Sequence, residues 1–70
     1  MLGIQAERHR RDLSLQQMAD FMDISSSTLR SIERKGQLPN YRTLVKMQDV
    51  LGMDIEDMFA EVELSYSRKD

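Results

Sequence analysis

The sequence predicts an all-α protein, a compact domain of five helices. Residues that break helices are sparse, since the 70 residues include only three glycines and one proline. Apolar residues recur three or four positions apart in several segments, which is the spacing of one helix face. Residues that favour helix N-termini, among them Ser14, Ser25 and Asn40, stand directly before these segments.

The first three helices are expected over residues 2–11, 15–22 and 26–34. Ser14 and Gln17 have the spacing of a capping box, in which each side chain accepts a hydrogen bond from the other residue's backbone. Leu13 and Met18 flank this box as a hydrophobic staple. Ser25 can cap the third helix in the same way. Two short helices joined by three residues, as in the second and third, form a helix-turn-helix.

The fourth and fifth helices are expected over residues 41–51 and 55–59. The apolar stripe of the fourth helix is expected to include Tyr41, Leu44, Met47 and Leu51. Asn40 can cap this helix and Gly52 can end it. Asp54 is expected to cap the fifth helix, with Asp57 at its third position.

The predicted core consists of the apolar residues on the inner faces of these helices. In the helix-turn-helix they are Met18, Ala19, Met22, Ile24, Leu29 and Ile32. The small side chain of Ala19 lets the two helices approach closely. Four methionines, at positions 18, 22, 47 and 58, lie at core spacings, which favours core packing over a flexible binding surface.

The C-terminal residues have a different pattern. We expect a helix-turn-helix domain over residues 1–59 and a tail over residues 60–70. In the tail, Val62, Leu64 and Tyr66 alternate with polar residues, which favours a short C-terminal β-strand. Such a strand needs an edge to pair with, either the same segment of a second molecule or a short N-terminal extension. The alternatives are a frayed terminus and a continuation of the fifth helix.

The composition argues against several classes of protein. Without cysteine the chain has no disulfide, zinc finger or thiol nucleophile. Its single histidine, His9, cannot form a metal site, and no glycine-rich loop could hold a nucleotide. We therefore expect no enzymatic activity, no metal and no cofactor, and the length leaves no room for a domain that binds a small molecule. With no apolar run of about 18 residues and a charged N-terminal segment, we expect a cytoplasmic protein without a membrane partner.

The charge is divided unevenly along the chain. The formal net charge of −2 by itself does not suggest a nucleic-acid partner, because such domains usually have basic surfaces. However, residues 1–46 contain eight bases and five acids, a net charge of +3, and residues 47–70 contain two bases and seven acids, a net charge of −5. The half with the helix-turn-helix is basic. The acidic half is where a second subunit or another protein would bind.

Three segments in register resemble the Cro/Xre-type helix-turn-helix family of phage and bacterial transcription regulators. They are S-L-Q-Q-M-A-D-F-M-D-I-S-S-S-T-L-R-S-I-E-R, L-P-N-Y-R-T-L-V-K-M and L-G-M-D-I-E-D-M-F, and the resemblance extends from Ile4 to Phe59. It implies a lambda-repressor-like fold of five helices, with the third helix in the major groove of double-stranded DNA. It also implies a homodimer on a two-fold operator. The chain departs from the family at Leu15, often glutamine, at Asp23, usually glycine, and at Glu7, often leucine.

The resemblance also implies roles for individual residues. The positions that read base edges are Ser26, Ser27, Arg30 and Ser31. Among these, Arg30 has the strongest chemistry, because arginine pairs with guanine through two hydrogen bonds. The positions that contact the DNA backbone are Gln16, Gln17, Ser25, Thr28, Arg34, Lys35, Gln37, Asn40, Tyr41 and Arg42. Arg8 and Glu33 match a structural ion pair of the family.

These observations lead to one main hypothesis and one alternative. The main hypothesis is a sequence-specific DNA-binding transcriptional regulator, a repressor, that acts as a homodimer on an inverted repeat. The alternative is a protein-interaction module of the same fold, such as an antitoxin or anti-regulator, that binds its partner through the acidic C-terminal part.

Overall fold

The computed structural model describes residues 1–63 and has five helices. They are α1 (Gly3–Arg10), α2 (Leu15–Met22), α3 (Ser26–Lys35), α4 (Tyr41–Leu51) and α5 (Ile55–Phe59). The predicted all-α fold class is confirmed, and each helix begins and ends within one residue of its expected bounds. No helix among these residues is both long enough and apolar enough to span a bilayer.

Side-chain caps begin three of the helices, as the sequence predicts. At α2 the capping box is complete, because Gln17 N donates to Ser14 Oγ over 3.0 Å and Ser14 N donates to Gln17 Oε1 over 2.8 Å. Ser25 Oγ accepts from the first turn of α3. Asn40 Oδ1 accepts a 2.9 Å hydrogen bond from the first turn of α4. Each cap satisfies a backbone N–H that has no partner within its own helix.

The predicted side-chain cap of α5 is wrong. Asp54 occupies the N-cap position, but its side chain makes no capping hydrogen bond. With only five residues, α5 depends on tertiary packing instead, as short helices generally do. Met58 on its inner face is fully buried, and the backbone of α5 lies directly against α1.

A glycine permits this close approach of α1 to α5. Gly3 is buried, and its N–H donates a 2.9 Å hydrogen bond to the carbonyl oxygen of Ala60. A Cβ atom at Gly3 would overlap the carbonyl oxygen of Asp57. Any larger residue at this position would therefore push the two helices apart.

Residues after α5 pair with the N-terminal residues of the same chain. Ala60 is extended, so continuation of the fifth helix through residues 60–63 is wrong. Leu2 and Glu61 form an antiparallel bridge, and Val62 N donates to Met1 O over 2.8 Å. Of the two predicted partners, the N-terminal segment is the one seen for these residues. The rest of the predicted strand lies outside the described residues.

The core lies between the five helices and consists mainly of aliphatic and methionine side chains. Its buried members are Ile4, Met18, Ala19, Met22, Leu29, Ile32, Met47, Leu51 and Met58. The core positions predicted for the four methionines are confirmed. Tyr41 is not part of the stripe, because its side chain is 81% exposed.

Candidate nucleic-acid interface

The turn between α2 and α3 holds the two helices at a fixed angle. Asp23 ends α2 in the left-handed conformation, with φ 61° and ψ 42°, which aspartate tolerates better than most residues. The next amide, Ile24 N, donates to Ala19 O over 3.1 Å. Because Ala19 is fully buried and small, α3 packs closely on α2 and its opposite face points outward.

A buried ion pair ties α3 to α1. Arg8 donates from Nε to Glu33 Oε2 over 2.8 Å and from Nη2 to Glu33 Oε1 over 3.0 Å. Its third nitrogen, Nη1, donates to Leu13 O over 3.0 Å. The side chain of Glu33 is 3% exposed and that of Arg8 is 13% exposed. The one acid of α3 is thus neutralised inside the protein, and the guanidinium group links α1, α3 and the start of α2.

The outward face of α3 is polar and contains no acid. Two serines of this helix, Ser26 and Ser31, are half-buried. Its exposed side chains are those of Ser27, Thr28, Arg30, Arg34 and Lys35. The structure therefore brings the four residues predicted to read bases onto one helix surface. A short helix with hydroxyl and guanidinium groups outward has the donors and acceptors that major-groove base edges require.

Two clefts lie on either side of this face and separate its arginines from its hydroxyl groups. One cleft, of about 210 Å³, is lined by Arg30 and Arg34 together with Gln5, Leu15 and the ion-paired Arg8 and Glu33. The other, of about 290 Å³, lies between α3 and the following loop and is lined by Ser27, Ser31, Leu38 and neighbouring side chains. One side of α3 is thus basic, and the other combines hydroxyl groups with apolar surface.

Five exposed cations on α3 and α4 have no acidic partner among residues 1–63. They are Arg30, Arg34, Lys35, Arg42 and Lys46. Three of these charges lie on α3 and two on α4, and exposed positive charges of this kind attract phosphate groups.

The two arginines at the C-terminal end of α1, Arg10 and Arg11, are paired with an acid. Glu7 accepts hydrogen bonds from Arg10 Nε over 3.1 Å and from Arg11 Nε over 2.7 Å. The bond from Arg10, with the one from Arg11, lowers the pKa of the Glu7 carboxyl below its ordinary value of 4.5, although partial burial opposes the shift. Arg11 also donates to Leu51 O over 3.2 Å. This cluster connects the end of α1 with the end of α4 and adds little free positive charge.

Several residues predicted to contact the DNA backbone already make hydrogen bonds within the protein. Three of them act in helix caps, through the hydroxyl of Ser25 and the side-chain carbonyl oxygens of Asn40 and Gln17. The amide of Gln16 donates to Asp20 Oδ1 over 2.9 Å. Thr28 Oγ1 accepts a hydrogen bond from Ser25 Oγ over 2.8 Å. The remaining backbone candidates are exposed: Arg34, Lys35, Gln37, Tyr41 and Arg42.

Sequence reasoning missed two residues that line the clefts. Gln5 and Leu38 lie outside the helix-turn-helix and belong to no cap or capping box. For Leu38 the sequence has one signal, an apolar residue between the end of one helix and the proline before the next. Its 62% exposure is a property of the folded protein that this signal does not reveal.

Comparison with known proteins gives one match. The family model described as helix-turn-helix matches residues 4–58. No curated protein and no solved structure matches the chain. The matched residues span the helix-turn-helix, the buried ion pair and all but the end of α5, so the family assignment rests on the whole folded unit. The chain belongs to the Cro/C1-type helix-turn-helix family, a family of DNA-binding regulators.

Proposed function

We propose that this protein is a sequence-specific transcriptional regulator, a repressor, that binds double-stranded DNA with α3 in the major groove. It acts as a homodimer on an inverted repeat. The half-sites then lie about 10 bp apart, or a multiple of that distance, because each copy must meet the same side of the duplex.

One observation supports this function above the others: α3 presents a surface without negative charge. Its acid, Glu33, is buried against Arg8, whereas Arg30 and Arg34 are exposed. An outward carboxylate would repel phosphates, and its removal into the core leaves only groups that duplex DNA attracts. The net charge of −2 does not oppose this interaction, because the acids are concentrated after α4.

The exposed residues divide into two roles. Base reading is assigned to Ser26, Ser27, Arg30 and Ser31, and the cations after them contact phosphates. Arg30 contributes most to specificity, since its guanidinium group can donate two hydrogen bonds to guanine O6 and N7. Lys35 and Arg42 contribute to affinity for any sequence, because phosphate contacts contain no sequence information.

The test is DNA binding by the wild-type protein and by Arg30→Ala. A preferred duplex is selected from a randomised library, and its affinity is measured by fluorescence anisotropy over a range of salt concentrations. For the wild type, log K is expected to fall linearly with log salt concentration. For Arg30→Ala, we expect a loss of about 1–3 kcal/mol on the selected duplex and a relaxed preference at one base position.

Lys46→Ala is the matched control, because it removes the same charge from an exposed position outside α3. It is expected to leave the ratio of specific to random affinity unchanged. An equal loss on selected and random DNA for Arg30→Ala would instead place its guanidinium group on a phosphate.

A second candidate function is favoured by the acidic surface around α5. This surface has five exposed acids, which are Asp54, Glu56, Asp57, Glu61 and Glu63. Such a surface suits a basic protein partner, as in an antitoxin or anti-regulator of the same fold. If the wild-type chain binds no duplex even at low salt, the repressor proposal fails and this candidate remains.

A further inference from the structure

The cleft between α3 and the following loop has a mixed chemical character. Ser27, Thr28 and Ser31 line one wall, where hydroxyl groups can donate and accept hydrogen bonds. The other lining residues are Ile32 and, from the loop between α3 and α4, Gln37, Leu38 and Pro39. We call this cleft the hydroxyl-leucine groove. Because Ser27, Thr28 and Leu38 are exposed, this cleft of about 290 Å³ is an open groove along the surface of α3 rather than a cavity of the core.

The loop presents Leu38 in a defined position. Gly36 ends α3 in the left-handed conformation, with φ 66°, and Asn40 is fixed by its cap on α4. Pro39 restricts the backbone between them. Leu38 is nevertheless 62% exposed. Its side chain is thus held beside the outward face of α3 without being used for the core.

Among the bases, thymine matches this combination of groups. In the major groove its edge presents the O4 acceptor and the C5-methyl group. Serine hydroxyls can donate to O4, and aliphatic carbon is the natural neighbour of a methyl group. Guanine, adenine and cytosine have no methyl group there, so apolar surface gains nothing from them.

We propose that the hydroxyl-leucine groove reads a thymine in each half-site. Leu38 contacts the C5-methyl group, and Ser27 or Ser31 donates to the base edge. This inference rests on the proposed binding of α3 in the major groove. It adds a specificity-determining residue outside α3. It also places thymine reading on the side of α3 away from Arg30, whose cleft faces α1.

The experiment replaces thymine by deoxyuridine, which lacks only the methyl group. Each thymine of the selected duplex is replaced in turn, and the affinity of the full-length protein is measured. One thymine per half-site is expected to be sensitive, with binding weakened about fourfold, the ratio that corresponds to one buried methylene-sized group. Leu38→Ala is expected to bind the thymine duplex about fourfold more weakly and to lose this sensitivity.

Val45→Ala is the matched control, because Val45 is an exposed aliphatic residue, 42% accessible, that does not line the groove. It is expected to retain the full ratio between thymine and deoxyuridine. Thermal unfolding of Leu38→Ala is expected to match the wild type, since the side chain is exposed.

The results separate the two proposals. If the wild type binds duplex DNA but no thymine is sensitive to deoxyuridine, the groove assignment is overturned while the repressor proposal stands. A sensitivity that persists in Leu38→Ala also overturns it, because another residue then contacts the methyl group. If the wild type binds no duplex, both proposals fail together.

Discussion

The orientation of α3 depends on two charged side chains, Arg8 and Glu33. They are 25 residues apart in sequence, yet they form two hydrogen bonds in the interior. Removing charge from water is costly, and here the cost is offset because the carboxylate meets both Nε and Nη2. A third bond from Arg8 to Leu13 O leaves each guanidinium nitrogen with a partner.

Glu33→Ala is expected to destabilise the fold by about 3–5 kcal/mol, because it leaves Arg8 buried without an anion. The free energy of unfolding is measured by urea denaturation. The double variant Arg8→Met with Glu33→Leu is the control and is expected to recover much of the loss, since neither charge remains. A cost below about 1 kcal/mol for Glu33→Ala would be that of an exposed pair and would contradict this view.

Glu7 gives the stability a dependence on pH. Its folded-state pKa is lowered by the hydrogen bonds from Arg10 and Arg11, so its contribution is present above its ordinary value of 4.5 and is lost as pH falls through the folded-state pKa. The unfolding free energies of wild type and Glu7→Gln, compared by urea denaturation, are therefore expected to differ most near neutral pH and to converge in acid, below the folded-state pKa. A difference of constant size across this range would show that the carboxylate charge contributes nothing.

Local structure could be predicted from residue spacing alone, whereas distant contacts could not. Ser14, Ser25 and Asn40 act within three residues of themselves, so the sequence alone predicts their caps. Asp54 has the same local pattern but makes no capping bond. No spacing rule pairs Arg8 with Glu33, and this pair was expected only from the family resemblance.

At the scale of elements, the contact between α1 and α5 requires a residue without a side chain at position 3. The backbone of α5 lies where a side chain at position 3 would be. Nothing in the local sequence indicates this, because a glycine near the start of a helix is equally compatible with an exposed end. The helix bounds were predictable from caps and periodicity, whereas the packing distance between two helices was not.

Gly3→Ala is expected to lower the free energy of unfolding by about 1–3 kcal/mol, since the new methyl group would force α1 away from α5. Urea denaturation again provides the measurement. Gly52→Ala serves as comparison: nothing lies within 4 Å of its Cβ position, but its φ is 64°, so its cost of roughly 1–2 kcal/mol comes from backbone strain alone. An unfolding free energy for Gly3→Ala equal to that of the wild type would mean that the two helices separate without penalty.

At the scale of the whole molecule, the proposed homodimer rests on the division of charge and on the number of DNA-reading helices. The basic half presents α3, and the acidic half includes α5 and the residues that follow. In the proposed complex one copy contributes a single α3 and reads one half-site. A dimer would double this reading surface.

The mass in solution is expected to rise from 8.2 kDa towards twice that value as protein concentration increases, and the selected inverted repeat is expected to bind two copies. Sedimentation equilibrium measures both. A variant that ends after Glu63 keeps the paired residues 60–62 and tests whether the rest of the tail is needed. A single-chain mass at all concentrations, with one copy per repeat, would contradict the homodimer.

The pairing of residues 1–3 with residues 60–62 has a consequence for the order of folding. Met1 N and Val62 O are joined across 61 residues of sequence, so this contact closes the largest loop and has a high entropic cost. The contacts between α2 and α3 close a much shorter loop and are expected to form earlier. The helix-turn-helix is therefore expected to be formed in the transition state for folding. The contacts between residues 1–3 and residues 60–62 are expected to form after it.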